Sequence, residues 1–154
     1  MAASDNARRN LSLQFNRLIP APSNLIFEAF TDPDLLKAWF APGNMTVPSA
    51  ACDLRPGGAY RIEMKPADES VREDHVVAQG VYTRLIPGSQ LEYTWAGSWD
   101  PAEESHVTVS LYESPCGTTL TLDHDGFQSE QSLHNHHSAW QSSLTKLREL
   151  FSVN

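Results

Sequence analysis

Three histidines fall close together in the run Leu133-His134-Asn135-His136-His137. His134 and His137 are three positions apart, so on a helix they share a face, the arrangement a metal site would use. Zinc takes three or four protein ligands, commonly with thiolate or carboxylate partners. The acids nearest in sequence, Asp123 and Asp125, are joined to the pair by no motif. The reading is therefore no metal and no cofactor. His124 and His137 make a second pair. Strand alternation puts His124 on the face of Leu120 and Leu122, and the apolar stripe of the last helical segment carries His137 beside Trp140. Facing a common cavity, the two imidazoles would orient a polar group of a ligand, or act as acid and base near neutral pH. The plainer alternative is a pair of core histidines with hydrogen-bond partners. No nucleophile or paired carboxylate stands at a recognisable spacing, and Ser110, Ser142 and Ser143 have no triad context, so no catalytic residue is assigned.

Aromatic residues give the stronger functional signal. Trp39, Phe40, Tyr60, Tyr82, Tyr93, Trp95 and Trp140 fall on faces that can look inward. Rings with a few polar tips are what an apolar ligand pocket needs. The same rings could instead fill a close-packed interior. Together with His124 and His137 they form the expected ligand-binding set. Cys52 and Cys116 are too far apart for a zinc ribbon or a redox pair and read as buried free thiols.

The elements that must position these side chains follow from periodicity. Leu11 to Ile19 alternates apolar and polar residues, which predicts a strand that Pro20 and Pro22 end. Ser23 is the expected N-cap of a helix carrying Leu25, Ile26, Phe27, Ala29 and Phe30. Asp32 and Pro33 open a second short helix with Leu36, Trp39 and Phe40. From Met45 to about Gly126 the chain reads as strands: Met45–Leu54, Tyr60–Lys65, Val76–Ile86, Leu91–Trp95, Val107–Tyr112 and Thr119–His124. Polar loops are expected at 66–74 and 97–105. Asp53-Leu54-Arg55-Pro56-Gly57-Gly58 is turn chemistry, architectural in character. The last helix, about Ser129 to Phe151, carries Leu133, His137, Trp140, Leu144, Leu147 and Phe151 as one stripe. Strand, two helices, six strands and a helix, with hairpin-length connections, predict an α+β domain with an antiparallel sheet. That sheet is large enough to curve around the last helix.

Composition bounds what such a domain could do. At 154 residues the chain is one domain's length. Apolar residues make up 40% and charged residues 19%, a globular balance. The net charge of −8 repels phosphate backbones, which argues against nucleic acid. No apolar run is long enough to span a membrane. Residues 1–10 lack the apolar core of a secretory signal and read as a flexible tail, so a cytoplasmic chain is expected, with one domain over 11–154.

Several of these pieces together resemble a known family. They are Ala21-Pro22 with Ile26 to Pro33, Leu36-Lys37-Ala38-Trp39-Phe40-Ala41-Pro42, and, most specific, Asp53 to Tyr60. Gly80, Pro87-Gly88, Tyr93-Thr94-Trp95, Gly117 to Leu122, Gly126-Phe127 and His136 to Leu147 follow in order. The sequence is similar to the family related to the C-terminal domain of the activator of the heat-shock-protein-90 ATPase, within the START-like (SRPBCC) superfamily. It departs at Ala139, where that family usually has glycine. The resemblance implies a helix-grip fold, a curved antiparallel sheet of six to seven strands around a long C-terminal helix, with a cavity between them. It does not imply a single function. The first reading is a domain binding a hydrophobic or amphipathic small molecule in that cavity. The alternative is a cochaperone-like module with a chaperone partner, though no separate N-terminal domain accompanies it here. An enzyme using the cavity histidines is third. A monomer or a homodimer fits each.

Overall fold

The structure is a computed structural model that describes residues 11–67 and 75–152. The expected tail, residues 1–10, and most of the polar loop 66–74 lie outside them. The elements are β1 (Ser12–Ile19), α1 (Ser23–Thr31), α2 (Pro33–Trp39), β2 (Met45–Cys52), β3 (Ala59–Pro66), β4 (Val76–Ile86), β5 (Gln90–Gly97), β6 (Asp100–Ser114), β7 (Gly117–Asp125) and α3 (Glu130–Leu150). All seven strands form one antiparallel sheet in the order β1-β7-β6-β5-β4-β3-β2. Strands β2 to β7 thus pair in sequence order as a meander. Strand β1 returns to pair with β7, Leu13 opposite His124 and Phe15 opposite Leu122. The curled sheet grips α3, so the expected helix-grip architecture is the one observed.

Alternation carries each strand's apolar residues to the concave side. Leu13 and Phe15, Tyr60 and Ile62, Leu91, Tyr93 and Trp95, Val107, Val109 and Leu111, and Leu120 and Leu122 are all buried. On α3 the buried positions are His136, Trp140, Ser143, Leu144 and Leu147. That is the i, i+4, i+7, i+8, i+11 face of a helix, turned from the expected stripe so that His137 lies outside it.

Local chemistry fixes the ends. The Asp32 carboxylate accepts from Asp34 N at 2.8 Å, and Pro33 sits in the first turn, as its missing N–H allows. Ser23 is not the cap of α1: Pro22 holds that place, and the Ser23 N–H is bonded instead by the Glu113 carboxylate of β6, 2.8 Å away. The expected loop at 97–105 shrinks to a tight turn, since β6 starts at Asp100. Its Pro101, Glu103 and Glu104 look like loop residues in sequence, yet the buried Glu103 has a structural partner described below. Gly57 lies at φ 83°, and a Cβ on Gly58 would run into the Asp53 carbonyl. That turn docks on β4, with Gly57 N donating to Tyr82 O at 2.7 Å and Tyr82 N donating to Gly58 O at 2.9 Å.

Candidate functional site

One cavity of about 270 Å³ opens between α3 and the sheet. Its floor is Trp95 of β5. Trp99, in the turn after β5, stands at the rim, 43% exposed. The opposite side is Phe40 and Pro42 after α2, with Met45 of β2. Met64 and Val76 close it from β3 and β4. Asn135, His136, Ala139, Trp140 and Ser143 of α3 form the roof. A broader hollow of about 770 Å³ lies over Ser12, Asp123, Asp125 and Gln128. Its polar surfaces give an apolar ligand little reason to leave water, so the aromatic cavity is the candidate despite its smaller volume.

The walls are held by indole–imidazole hydrogen bonds. Trp140 Nε1 donates to His124 Nδ1 at 2.9 Å. The proton of His124 is then on Nε2, which donates to Ser105 Oγ at 2.7 Å, and Ser105 passes its own proton to the Trp95 carbonyl at 3.3 Å. Trp95 Nε1 donates to His136 Nε2 at 3.1 Å, and His136 Nδ1 donates to the Ser132 carbonyl at 2.8 Å. Both imidazoles are therefore neutral and fully bonded. Burial pushes both pKa values down, His124 well below the ordinary range with the His136 ring depressing it further, while the Ser132 carbonyl and Glu103 oppose part of the shift at His136. Glu103, 4% exposed, accepts from Ser132 Oγ and from Gln128 N, both at 2.6 Å. It fastens the β6 strand to the first turn of α3, which explains a carboxylate buried where the sequence reads as loop.

A clamp fixes the opposite rim. Ser143 Oγ donates to Phe40 O at 2.7 Å, and Gly43 N donates to Ser142 Oγ at 2.7 Å. Lys146 Nζ donates to Ala41 O at 2.6 Å and to Gly43 O at 2.7 Å. The chain from 40 to 43 is thereby tied to α3.

Of the residues singled out from sequence, Phe40, Trp95 and Trp140 line the cavity. Tyr60, Tyr82 and Tyr93 pack on one another deeper in the core, with ring centroids 5.2 to 6.4 Å apart. Tyr60 donates to the Thr94 carbonyl, and burial raises all three phenol pKa values. Trp39 is buried behind Phe40, its Nε1 donating to Ala29 O at 2.9 Å. His124 stands behind Trp140 and outside the lining. His137 departs most from expectation: it is exposed and lies on Phe15 of β1, centroids 4.8 Å apart. One residue is 100° of helix, and the buried neighbour is His136. His136, Trp99, the two methionines and Ser143 stood outside the expected ligand-binding set. For His136 the available signal was the Ser132-to-His136 spacing of four, which lets the ring reach a carbonyl one turn back. Cys52 is half-buried and bonded to Tyr82, and Cys116 is exposed, which corrects the expectation that both thiols are buried.

A sequence profile described as Activator of Hsp90 ATPase homolog 1-like protein matches residues 20–152. Among solved structures, the chain is similar to a Chromobacterium violaceum protein at 26% identity and a TM-score of 0.83, over 93% of this chain and 99% of that one. A Nitrosomonas europaea protein is 27% identical with a TM-score of 0.74, over 90% and 92%. The protein CalU16 from Micromonospora echinospora is 27% identical with a TM-score of 0.67, over 92% of this chain and 76% of that one. No curated protein matches. With a helix-grip sheet and a profile match through nearly all the described residues, the chain belongs to the Activator of Hsp90 ATPase homolog 1-like family.

Proposed function

We propose that the protein binds one small apolar or amphipathic molecule in the cavity between Trp95 and Trp140. The observation that carries this reading is the wall itself. Phe40, Trp95, Trp99 and Trp140 surround a volume that core packing leaves unfilled, whereas a protein interior normally closes such a space. Every buried side-chain nitrogen and oxygen among the described residues is already bonded, so the walls can stay dry and rigid. Rigid, preformed apolar walls favour binding because little ordering is required. The saturated histidines argue for a binding role over acid–base chemistry. Neither ring has a nitrogen free to exchange a proton with a ligand.

The test is a titration with an apolar fluorescent dye. A stoichiometry near one is expected, with stabilisation that follows RT ln(1 + [L]/Kd). Ala139→Phe, on the roof, should abolish dye binding at small cost in stability, because the ring enters space that is empty. If the dye does not bind the parent protein, the cavity reading fails. The cochaperone-like reading would then be pursued by direct binding to a heat-shock ATPase.

A further inference from the structure

Resting on that reading, we propose that the cavity selects compact, uncharged aromatic ligands and discriminates against their carboxylate counterparts. Three observations on its wall point the same way. First, the described lining contains no Lys, Arg, Asp or Glu. Its one titratable side chain, His136, is neutral by its hydrogen bonds: Nε2 accepts from Trp95 and so carries no proton. Second, the donors on the buried part of the wall are already committed. The Trp95 indole serves His136, the Trp140 indole serves His124, and the Ser143 hydroxyl serves the Phe40 carbonyl. A carboxylate seated against these rings would shed its water and find no donor there in exchange, the costliest way to bury a charge; the Trp99 indole and the Asn135 amide stand at the exposed rim. Third, the acidic side chain fastened to this wall is itself a carboxylate. Glu103 reaches His136 through Ser132, and the chain as a whole carries −8.

What the wall does offer is ring faces. Phe40 and Trp95 lie 5.9 Å apart, Trp95 and Trp140 5.7 Å, and Trp95 and Trp99 6.1 Å, all inclined to one another. Inclined rings that share a lining with the thioethers of Met45 and Met64 suit the face and edge of another aromatic system. A volume of about 270 Å³ sits just under the usual range for drug-sized ligands, ~300–1,000 Å³, which limits the guest to a compact skeleton.

The experiment is a pair of isothermal titrations at pH 7.5 and low salt, with 2-naphthol and with 2-naphthoate. The two share a ring system and differ in charge. The neutral compound should bind about tenfold tighter or more. A second pair uses Asn135→Lys, an exposed position on the cavity's rim. The added ammonium should narrow the gap between naphthol and naphthoate by about fivefold, whatever the substitution does to both affinities alike. Equal affinities in the parent, or a tighter naphthoate, overturn the inference while leaving a ligand cavity standing. A gap that Asn135→Lys does not narrow overturns it as well, because the discrimination then lies elsewhere. Binding of neither compound removes both this inference and the cavity reading beneath it.

Discussion

Trp95 joins the two histidines by opposite ends. Its indole N–H goes to His136, and its carbonyl accepts from Ser105, whose Oγ in turn accepts from His124 Nε2. The partner indole, Trp140, supplies the other bond to His124. Two substitutions separate packing from hydrogen bonding here. Trp140→Ala should cost about 3–5 kcal/mol in chemical denaturation, as a large buried ring does. Trp140→Phe keeps most of the volume and leaves His124 Nδ1 without a donor, for about 1–3 kcal/mol. A Phe variant as stable as the parent would mean that the indole N–H is dispensable. The same bonds set a pH dependence. Both histidines are held neutral in the fold with depressed pKa values, whereas in the unfolded chain they titrate near 6.5. Below that value the unfolded state binds more protons than the native one, so stability falls with falling pH. The slope reaches about 1.4 kcal/mol per pH unit for each histidine, until its folded pKa is met. Thermal midpoints should be flat between pH 7 and 8 and drop from about pH 6.5 downward, with His124→Gln reducing the drop. At this scale the sequence was only partly legible. It marked His124, Trp95 and Trp140 as inward, because strand parity and the helical stripe decide that much. It could not choose His136 over His137, since the choice depends on a rotation of α3 that the buried Ser143 and the Ser132 carbonyl settle.

Among elements, the tie between α3 and the chain from 40 to 43 governs the cavity's rim. Lys146 gives two charge-assisted bonds to backbone carbonyls that follow α2, and desolvation lowers its pKa. Lys146→Met keeps the stem and removes both bonds. It should lower stability by about 1–3 kcal/mol and accelerate dye release, since Phe40 and Pro42 would move more freely. An unchanged release rate would show that the rim does not gate the cavity. Most elements could be read directly, because alternation and caps are local signals. The short helix opened by Asp32 and Pro33 is the clearest case. The start of β6 could not be read in this way. Its Pro101, Glu103 and Glu104 have loop composition, and Glu103 is buried only because the first turn of α3 needs an acceptor. A contact spanning Glu103 to Gln128 leaves no trace in local periodicity.

Across the whole molecule, the interior holds two kinds of space. Leu122 is fully buried in packed core beneath β1, whereas Ala139 borders the cavity. Leu122→Trp should therefore overpack, for about 1–3 kcal/mol of destabilisation, with dye binding retained. Leu122→Trp that is tolerated while blocking the dye would mean that the empty volume reaches β7. The antiparallel sheet and its terminal helix were legible because the order of elements admits few arrangements, and the family resemblance supplied the helix-grip plan; the cavity's lining was not legible, because it draws side chains from five elements and two connections at once. The strand order has one more consequence. Strand β1 leaves the ribosome first, yet its partner is β7; Gln14 bonds to Asp123, 109 positions later. At about 5–20 residues per second, translation takes roughly 5 to 20 s to deliver that partner. Through that interval Leu13, Phe15 and Ile19 have no sheet to join, while β2 to β6 can zip hairpin by hairpin. The segment most exposed to aggregation during synthesis is thus one that, in the finished fold, stands at the edge of the sheet with only Leu13, Phe15 and Ile19 turned inward.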